Sequence, residues 1–340
     1  MERKSALLVL GFATVLAAVA TPAAAQQASG YFAGKTVQMI IGFGPGGGYD
    51  RWGRTVAQHM AKHLPGNPTI VSKNLPGAGS FVAAGTLYNT SPKDGTAIGI
   101  IARDAPLGPL TGQPGANFDP LKLTWLGSPT TETNVCISYK TSKVKTAQDL
   151  LTTELIVGDT GPGTGTHAYP KALNGLIGTK FKLIGGYPSS SDVFLAMERG
   201  EVEGICESLD SVSGKRPTWI KDKTVNVLVQ SGEQRDEALK DVPTVLELAK
   251  TPEQKQAITF LYAGQKIGRP FVAPPGLPQN VEKMLRDAFS ATMKDPEFIA
   301  DAKKQKLEVE PVTGADLEAW IKKVYATPKP LVEKVGELIK

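Results

Sequence analysis

Cysteine and histidine are nearly absent from this chain of 340 residues, which has two of the first and three of the second. Two cysteines permit no more than one disulfide, and three histidines among scattered carboxylates give no recognisable catalytic triad. Nucleophilic catalysis also lacks its parts: there is no G-x-S-x-G elbow, and Cys136 and Cys206 sit in strand-like runs without a helix N-terminus to lower their pKa. His59 and His63 are four apart on one predicted helix, but Met60 stands where a zinc protease has Glu. With no third ligand evident, the pair reads as a solvated helix face. No Gly-Lys-Ser/Thr opens a helix, which excludes a P-loop, and no clustered Lys/Arg stripe suggests nucleic acid. A mean hydropathy of -0.13 argues against a polytopic membrane protein.

What is present is enough apolar material, 41% of residues, for more than one packed core. The start is a separate matter. Arg3 and Lys4 precede an uncharged run over 6–20, and Ala23-Ala24-Ala25 leads into Gln26. A charged start, an apolar stretch and an A-x-A site predict a signal peptide, residues 1–25, in preference to a retained anchor, for which the run is short. Its removal takes away Glu2, Arg3 and Lys4, so the formal charge falls by one from +5 to +4. Such a small excess weakly favours anionic ligands. In an oxidising compartment the even cysteine count permits one disulfide, Cys136 with Cys206, or leaves two buried small hydrophobes.

Strand-like and helix-like runs alternate through the rest. Thr36 to Ile41 reads as a buried strand, and Trp52, Val56, Met60 and Leu64 recur every fourth residue as one stripe of a helix closed by Pro65-Gly66. Further strands at 69–71 and 96–100 flank a helix at 81–88, predicting an α/β lobe with a parallel sheet. A second α/β set has strands at 135–139, 155–158, 181–184, 203–206 and 224–230, with helices at 166–176, 190–199 and 212–220. After Gln230 come a polar stretch and a strand-like run at 270–273, and helices near 278–293, 296–305 and 314–338 close the chain. The fold class expected is therefore α/β, with lobe 1 from 26–130 and 230–340, lobe 2 from 131–229, and two crossings between them.

One device occurs in each lobe, a glycine-rich turn between a strand and a helix. Gly42-Phe43-Gly44-Pro45-Gly46-Gly47-Gly48-Tyr49-Asp50 follows the first strand, and Gly158-Asp159-Thr160-Gly161-Pro162-Gly163-Thr164-Gly165-Thr166-His167 follows another. Glycine lets a ligand approach the backbone, and the helix start behind it adds unpaired N–H donors and positive dipole charge, so anions bind there. Gly42-x-Gly44-x-x-Gly47 fits the dinucleotide fingerprint by letter, but no acidic residue follows the next strand. Asp50 reads as a cap of the first helix in preference to a ligand contact. His167 is placed either to donate to a carboxylate or to pack and cap.

These turns, with Asn74-Leu75-Pro76-Gly77-Ala78-Gly79-Ser80, Gly200-Glu201-Val202-Glu203-Gly204, Asp241-Val242-Pro243-Thr244 and Ala273-Pro274-Pro275-Gly276, occur in an order that resembles the Bug family. Its members are the extracytoplasmic solute receptors of tripartite tricarboxylate transporters. The resemblance spans nearly the whole mature chain and implies a two-lobed periplasmic-binding-protein-like fold with a cleft between the lobes. It implies ligand contacts from Phe43, Gly44, Gly47, Tyr49 and Asp50 in the first turn, and from Thr160, Gly161, Gly163, Thr164, Thr166 and His167 in the second. Cys206-Glu207-Ser208 stands where the family commonly has an Asp-Ser pair, and the 249–268 segment is longer than usual.

The function expected is a monomeric periplasmic solute-binding receptor. It would capture an organic carboxylate, deliver it to inner-membrane permease subunits, and use no cofactor, metal or nucleic acid. A sensor for a signalling partner, or an exported enzyme on the same fold, is the alternative. Phe43, Tyr49 and Tyr187 would tolerate a ring, and Ser189, Arg103 and Ser208, with Glu207 beside them, are placed for a second polar end. Dicarboxylates and aromatic acids both stay open.

Overall fold

A computed structural model describes residues 30–340, and the signal peptide expected at 1–25 lies outside the described residues. In chain order the first lobe begins β1 (Thr36–Ile41), α1 (Gly48–Met60), β2 (Thr69–Asn74), α2 (Phe81–Asn89), β3 (Ala97–Ile100), α3 (Leu107–Leu110) and β4 (Thr124–Ser128). The second follows with β5 (Asn134–Tyr139), β6 (Leu155–Gly158), α4 (Gly165–Ile177), β7 (Phe181–Ile184), α5 (Ser190–Arg199), β8 (Gly204–Ser208), α6 (Leu209–Lys215) and β9 (Val225–Gln230). Then come α7 (Val245–Leu248), α8 (Pro252–Leu261), β10 (Phe271–Ala273), α9 (Gln279–Lys294), α10 (Pro296–Lys304), β11 (Val312–Thr313), α11 (Gly314–Tyr325) and α12 (Lys329–Leu338).

Two sheets organise these elements. The first has the order β11-β4-β10-β3-β1-β2, with β1 parallel to β2 and β3, and with β10 and β11 returning antiparallel. The second runs β7-β6-β8-β5-β9, parallel along β7-β6-β8 and antiparallel where β5 meets β8 and β9. The two-lobed α/β fold expected from the sequence is therefore present.

Helix α1 shows how local pattern becomes packing. Trp52, Val56 and Met60 are fully buried against the first sheet, each contributing roughly 1.5 to 3 kcal/mol of burial energy. The histidine face is not solvated as expected. His59 is buried, edge-on to Phe298 and 3.1 Å from Asp301, while His63 meets Asp295 at 2.8 Å, because α9 and α10 pack across α1. Lys62 lies against Asp295 and Glu297 in the same cluster.

The chain crosses between the lobes more often than the expected division allows. Helix α8, in a stretch to which the sequence reading assigns no element, buries Ala257, Ile258, Phe260 and Leu261 in the core that contains Leu173 and Leu176 of α4, and α12 adds Val332 and Val335. Residues assigned to lobe 1 thus cover lobe 2, since α4 presents an apolar face its own lobe leaves bare. The return to the first sheet comes at β10, not near residue 230.

Cys136 and Cys206 are paired residues on β5 and β8, with Cα atoms 3.9 Å apart, and their sulfurs are bonded. Closing a loop of sequence separation 70 stabilises by about 4 kcal/mol in the chain-entropy account. Alkylation of the unreduced, denatured protein should label neither cysteine. Labelling of both would remove the bridge.

Candidate functional site

Between the lobes lies a narrow cleft lined by residues of both, among them Phe43, Tyr49, Arg103, Thr160, Thr166 and Glu207. Three helices aim their N-termini at it. Gly47 and Gly48 begin α1, Thr164 and Gly165 begin α4, and Ser189 and Ser190 begin α5, all on the cleft wall. No side chain caps any of these three starts. Their first N–H groups are left for a ligand, and the summed helix dipoles favour a negative one.

Two aspartates shape the turns without entering the cleft. Asp50 accepts the Gly46 N–H at 2.8 Å and Asn74 Nδ2–H at 2.8 Å, and pairs with Arg54 at 2.9 Å. It stands outside the cleft wall and fastens the first turn through Gly46; it does not cap the helix's own N–H groups, the role the sequence reading favours. In the second turn Asp159 accepts the Gly161 N–H at 2.6 Å and meets His167 Nδ1 at 2.6 Å. His167 is thereby turned from the cleft into a neighbouring cavity. The hydroxyls of Thr160, Thr164 and Thr166 form a chain, with Thr166 Oγ1 2.8 Å from each of the other two, and all three line the cleft.

The aromatic wall is Phe43 stacked on Tyr49, with ring centroids 4.3 Å apart. Tyr49 Oη accepts the Arg103 N–H at 2.9 Å, and the Arg269 guanidinium lies 4.2 Å from the Tyr49 ring. Behind this wall sits a buried charge cluster. Glu132, on the segment that leaves the first lobe, is clasped by both Arg103 and Arg269, all three side chains 3% exposed or less. Arg103 stands 3.8 Å from Asp104 and 3.9 Å from Glu207. Arg269 Nη2 donates to Ser208 and Ser211, at 2.6 and 2.9 Å. Burial pushes the Asp104 carboxyl up to about 6, against the opposing pull of Arg103 and of the Tyr169 hydroxyl that donates to it at 2.9 Å.

Of the residues expected at the site, Phe43, Gly47, Tyr49, Thr160, Thr164, Thr166, Ser189 and Glu207 line the cleft. Gly44, Asp50, Gly161, Gly163, His167, Ser208 and Tyr187 do not. Gly44 donates its N–H to the Pro188 carbonyl of the opposite lobe at 3.2 Å, Gly163 packs on Phe81, and Ser208 caps α6. Arg103 lines the wall as well. Asp104, Glu132, Ser190 and Arg269 were not anticipated. The signal available for two of these positions is a charge at the edge of an apolar run, Ile100-Ile101-Ala102-Arg103-Asp104 and Gly268-Arg269-Pro270-Phe271.

The lobes are closed on each other. Besides Gly44 with Pro188, Ser191 Oγ donates to the Gly46 carbonyl at 2.9 Å, and Trp52 Nε1–H to Asp210 at 3.2 Å.

The sequence profile of the tripartite tricarboxylate transporter family receptor matches residues 53–337. The chain belongs to that receptor family. Among curated relatives, a UPF0065 protein of Cupriavidus necator is 26% identical over 347 residues, covering 99% of this chain and 98% of that protein. A Bordetella pertussis UPF0065 protein is 25% identical over 316 residues, 90% and 91% of the two chains. Solved structures similar to this receptor-family chain include the periplasmic binding protein BugD, with TM-score 0.72 and 20% identity, covering 88% of this chain and 97% of that one. MatC of Rhodopseudomonas palustris, solved with bound malate, has TM-score 0.69 and 20% identity, covering 88% and 99%. Another R. palustris protein, solved with adipate, has TM-score 0.68 and 18% identity, covering 88% and 97%.

Proposed function

We propose that this protein is a periplasmic receptor that captures an organic carboxylate between its lobes and delivers it to the permease of a tripartite tricarboxylate transporter, doing no chemistry itself. The observation that carries the reading is the convergence of three uncapped helix N-termini on one interlobe cleft. Family membership and the fold shared with proteins solved with malate and adipate support it. Export through residues 1–25 and a monomeric state complete the reading. Closure is the signal to the permease, because a ligand that touches both lobes favours the closed state by the contacts it makes only there.

A thermal-shift screen of the mature protein against carboxylic acids tests this. A ligand at a hundredfold excess over Kd stabilises by about 2.7 kcal/mol, so the right acid should raise the melting temperature by roughly 5 °C. Its amide or methyl ester should not, since either removes the charge the helix N-termini meet, and an amide sets donors against donors. An ester that binds as well as the acid would end the carboxylate reading.

A further inference from the structure

A second cavity, of about 100 Å3, shares no lining residue with the cleft. Its wall is largely apolar. Val245 and Leu246 of α7, Ile258 of α8 and Tyr262 just after it come from the core that covers the second lobe, while Trp320 of α11 packs on the cores of both lobes. The Trp320 Nε1–H donates to the Ala263 carbonyl at 3.0 Å, which fixes the ring. The segments that join the lobes reach the cavity too: Ser231 and Glu233 follow β9, and Gln265 and Lys266 precede β10.

Size and charge define what fits. An apolar cavity of about 150 Å3 takes up benzene, so this smaller one, with exposed Thr259, Glu233 and Lys266 on its rim, has room for a single ring. Glu233 and Lys266 put one charge of each sign on that rim, and the Lys266 ammonium already lies 4.7 Å from the Trp320 ring centroid. The rim therefore selects neither an anion nor a cation. An uncharged ring meets the aromatic side chains of Tyr262 and Trp320 and gives up no charge solvation on entering.

Gln265 connects this cavity to the cleft. Its Nε2–H donates to Tyr169 Oη at 2.6 Å, and the Tyr169 hydroxyl donates to Asp104 on the cleft wall at 2.9 Å. Gln265 is buried and its Oε1 has no hydrogen-bond partner among the described residues, so the bond to Tyr169 is what orients the side chain.

We propose that this cavity is a second binding site, taking an uncharged molecule of one aromatic ring, and that its occupant is felt at the cleft through Gln265 and Tyr169. Because the wall draws on both lobes, an occupant fits one arrangement of the lobes and favours it.

Isothermal titration of the whole mature protein with benzyl alcohol and with benzylamine, its equal in shape but charged at neutral pH, tests the site. The alcohol should bind once per chain with a Kd of about 1 mM or tighter, and the amine at least about tenfold more weakly. Thr259→Phe, at an exposed rim position, should weaken the alcohol by at least about tenfold and leave the melting temperature unchanged. In amide hydrogen exchange, bound benzyl alcohol should slow residues 231–233 and 262–266 at the cavity, together with 165–169 at the start of α4. Gln265→Met should keep the first protection and lose the second. Should Thr259→Phe fail to fold, exchange in the wild type locates the site. Undiminished binding to a folded Thr259→Phe protein, an amine that binds as well as the alcohol, or no binding of the alcohol at millimolar concentration overturns the site. Protection at the cavity without protection of 165–169 keeps the site and overturns its link to the cleft.

Discussion

Replacing Gly79 by alanine should lower ligand affinity by at least about a hundredfold while leaving a folded protein. Gly79 lies in the turn before α2 at φ +60°, and a Cβ there would sit 1.8 Å from the Pro162 carbonyl oxygen of the opposite lobe. Both the turn and the carbonyl are backbone, so the contact has no soft partner. Two costs must be kept apart. The left-handed conformation penalises alanine by roughly 1 to 2 kcal/mol, but it does so in the open and the closed protein alike and cancels from the binding equilibrium. The collision exists only when the lobes meet, so it subtracts from closure and hence from affinity. Gly178→Ala separates the two, because Gly178 has φ +80° at the end of α4 and nothing within 4 Å of its added Cβ. It should melt lower and bind normally. The Gly79→Ala protein should keep an open radius of gyration in small-angle scattering when the best carboxylate is added. Normal affinity would mean that the closed arrangement is not the one that holds ligand.

The same contact shows which parts of the site the sequence makes legible. A glycine turn between a strand and a helix is a local pattern, and both turns, with the strands and helices that flank them, are readable from short windows. Helix α5, for instance, spans the residues its pattern predicts. Strand β4 escapes because Thr124–Ser128 is buried on both faces in mid-sheet and shows no alternation. Helix α8 escapes because its first half, Glu253-Gln254-Lys255-Gln256, is polar, and only packing on α4 shows what the apolar residues after it cover. Side-chain direction near a turn is also hidden: Asp50 and His167 stand beside the glycines, yet each turns away to hold its own loop. The charge cluster could not be read at all as a cluster. Arg103, Glu132, Glu207 and Arg269 come from distant points of the chain, and only the folded crossing segments bring them together.

That cluster is where a single charge should matter most to stability. Glu132→Gln keeps the shape of the side chain and removes the carboxylate that Arg103 and Arg269 share, both buried to within 3% of completely. Removing one partner of a buried ionic group leaves the others desolvated, at a cost of about 3 to 5 kcal/mol, so the melting temperature should fall by roughly 10 °C. An exposed pair gives the contrast. Glu333→Gln breaks an i,i+4 pair with Lys329 in which the two side chains are 62% and 86% exposed, and should cost under about 1 kcal/mol. Location makes the first loss functional too, since Glu132 lies on the outgoing crossing and Arg269 just before β10 on the return. Arg269 also reaches Ser208 and Ser211 of the second lobe, so its orientation sets how the lobes meet. The effect should therefore be coupled: Glu132→Gln combined with Arg269→Met should be less destabilised than the two single variants together, by about 1 to 3 kcal/mol, because the second change removes a cation that the first left unpaired. Additive losses in denaturant unfolding would show that Glu132 and Arg269 act independently, and the ion cluster would then be no part of what joins the two crossings.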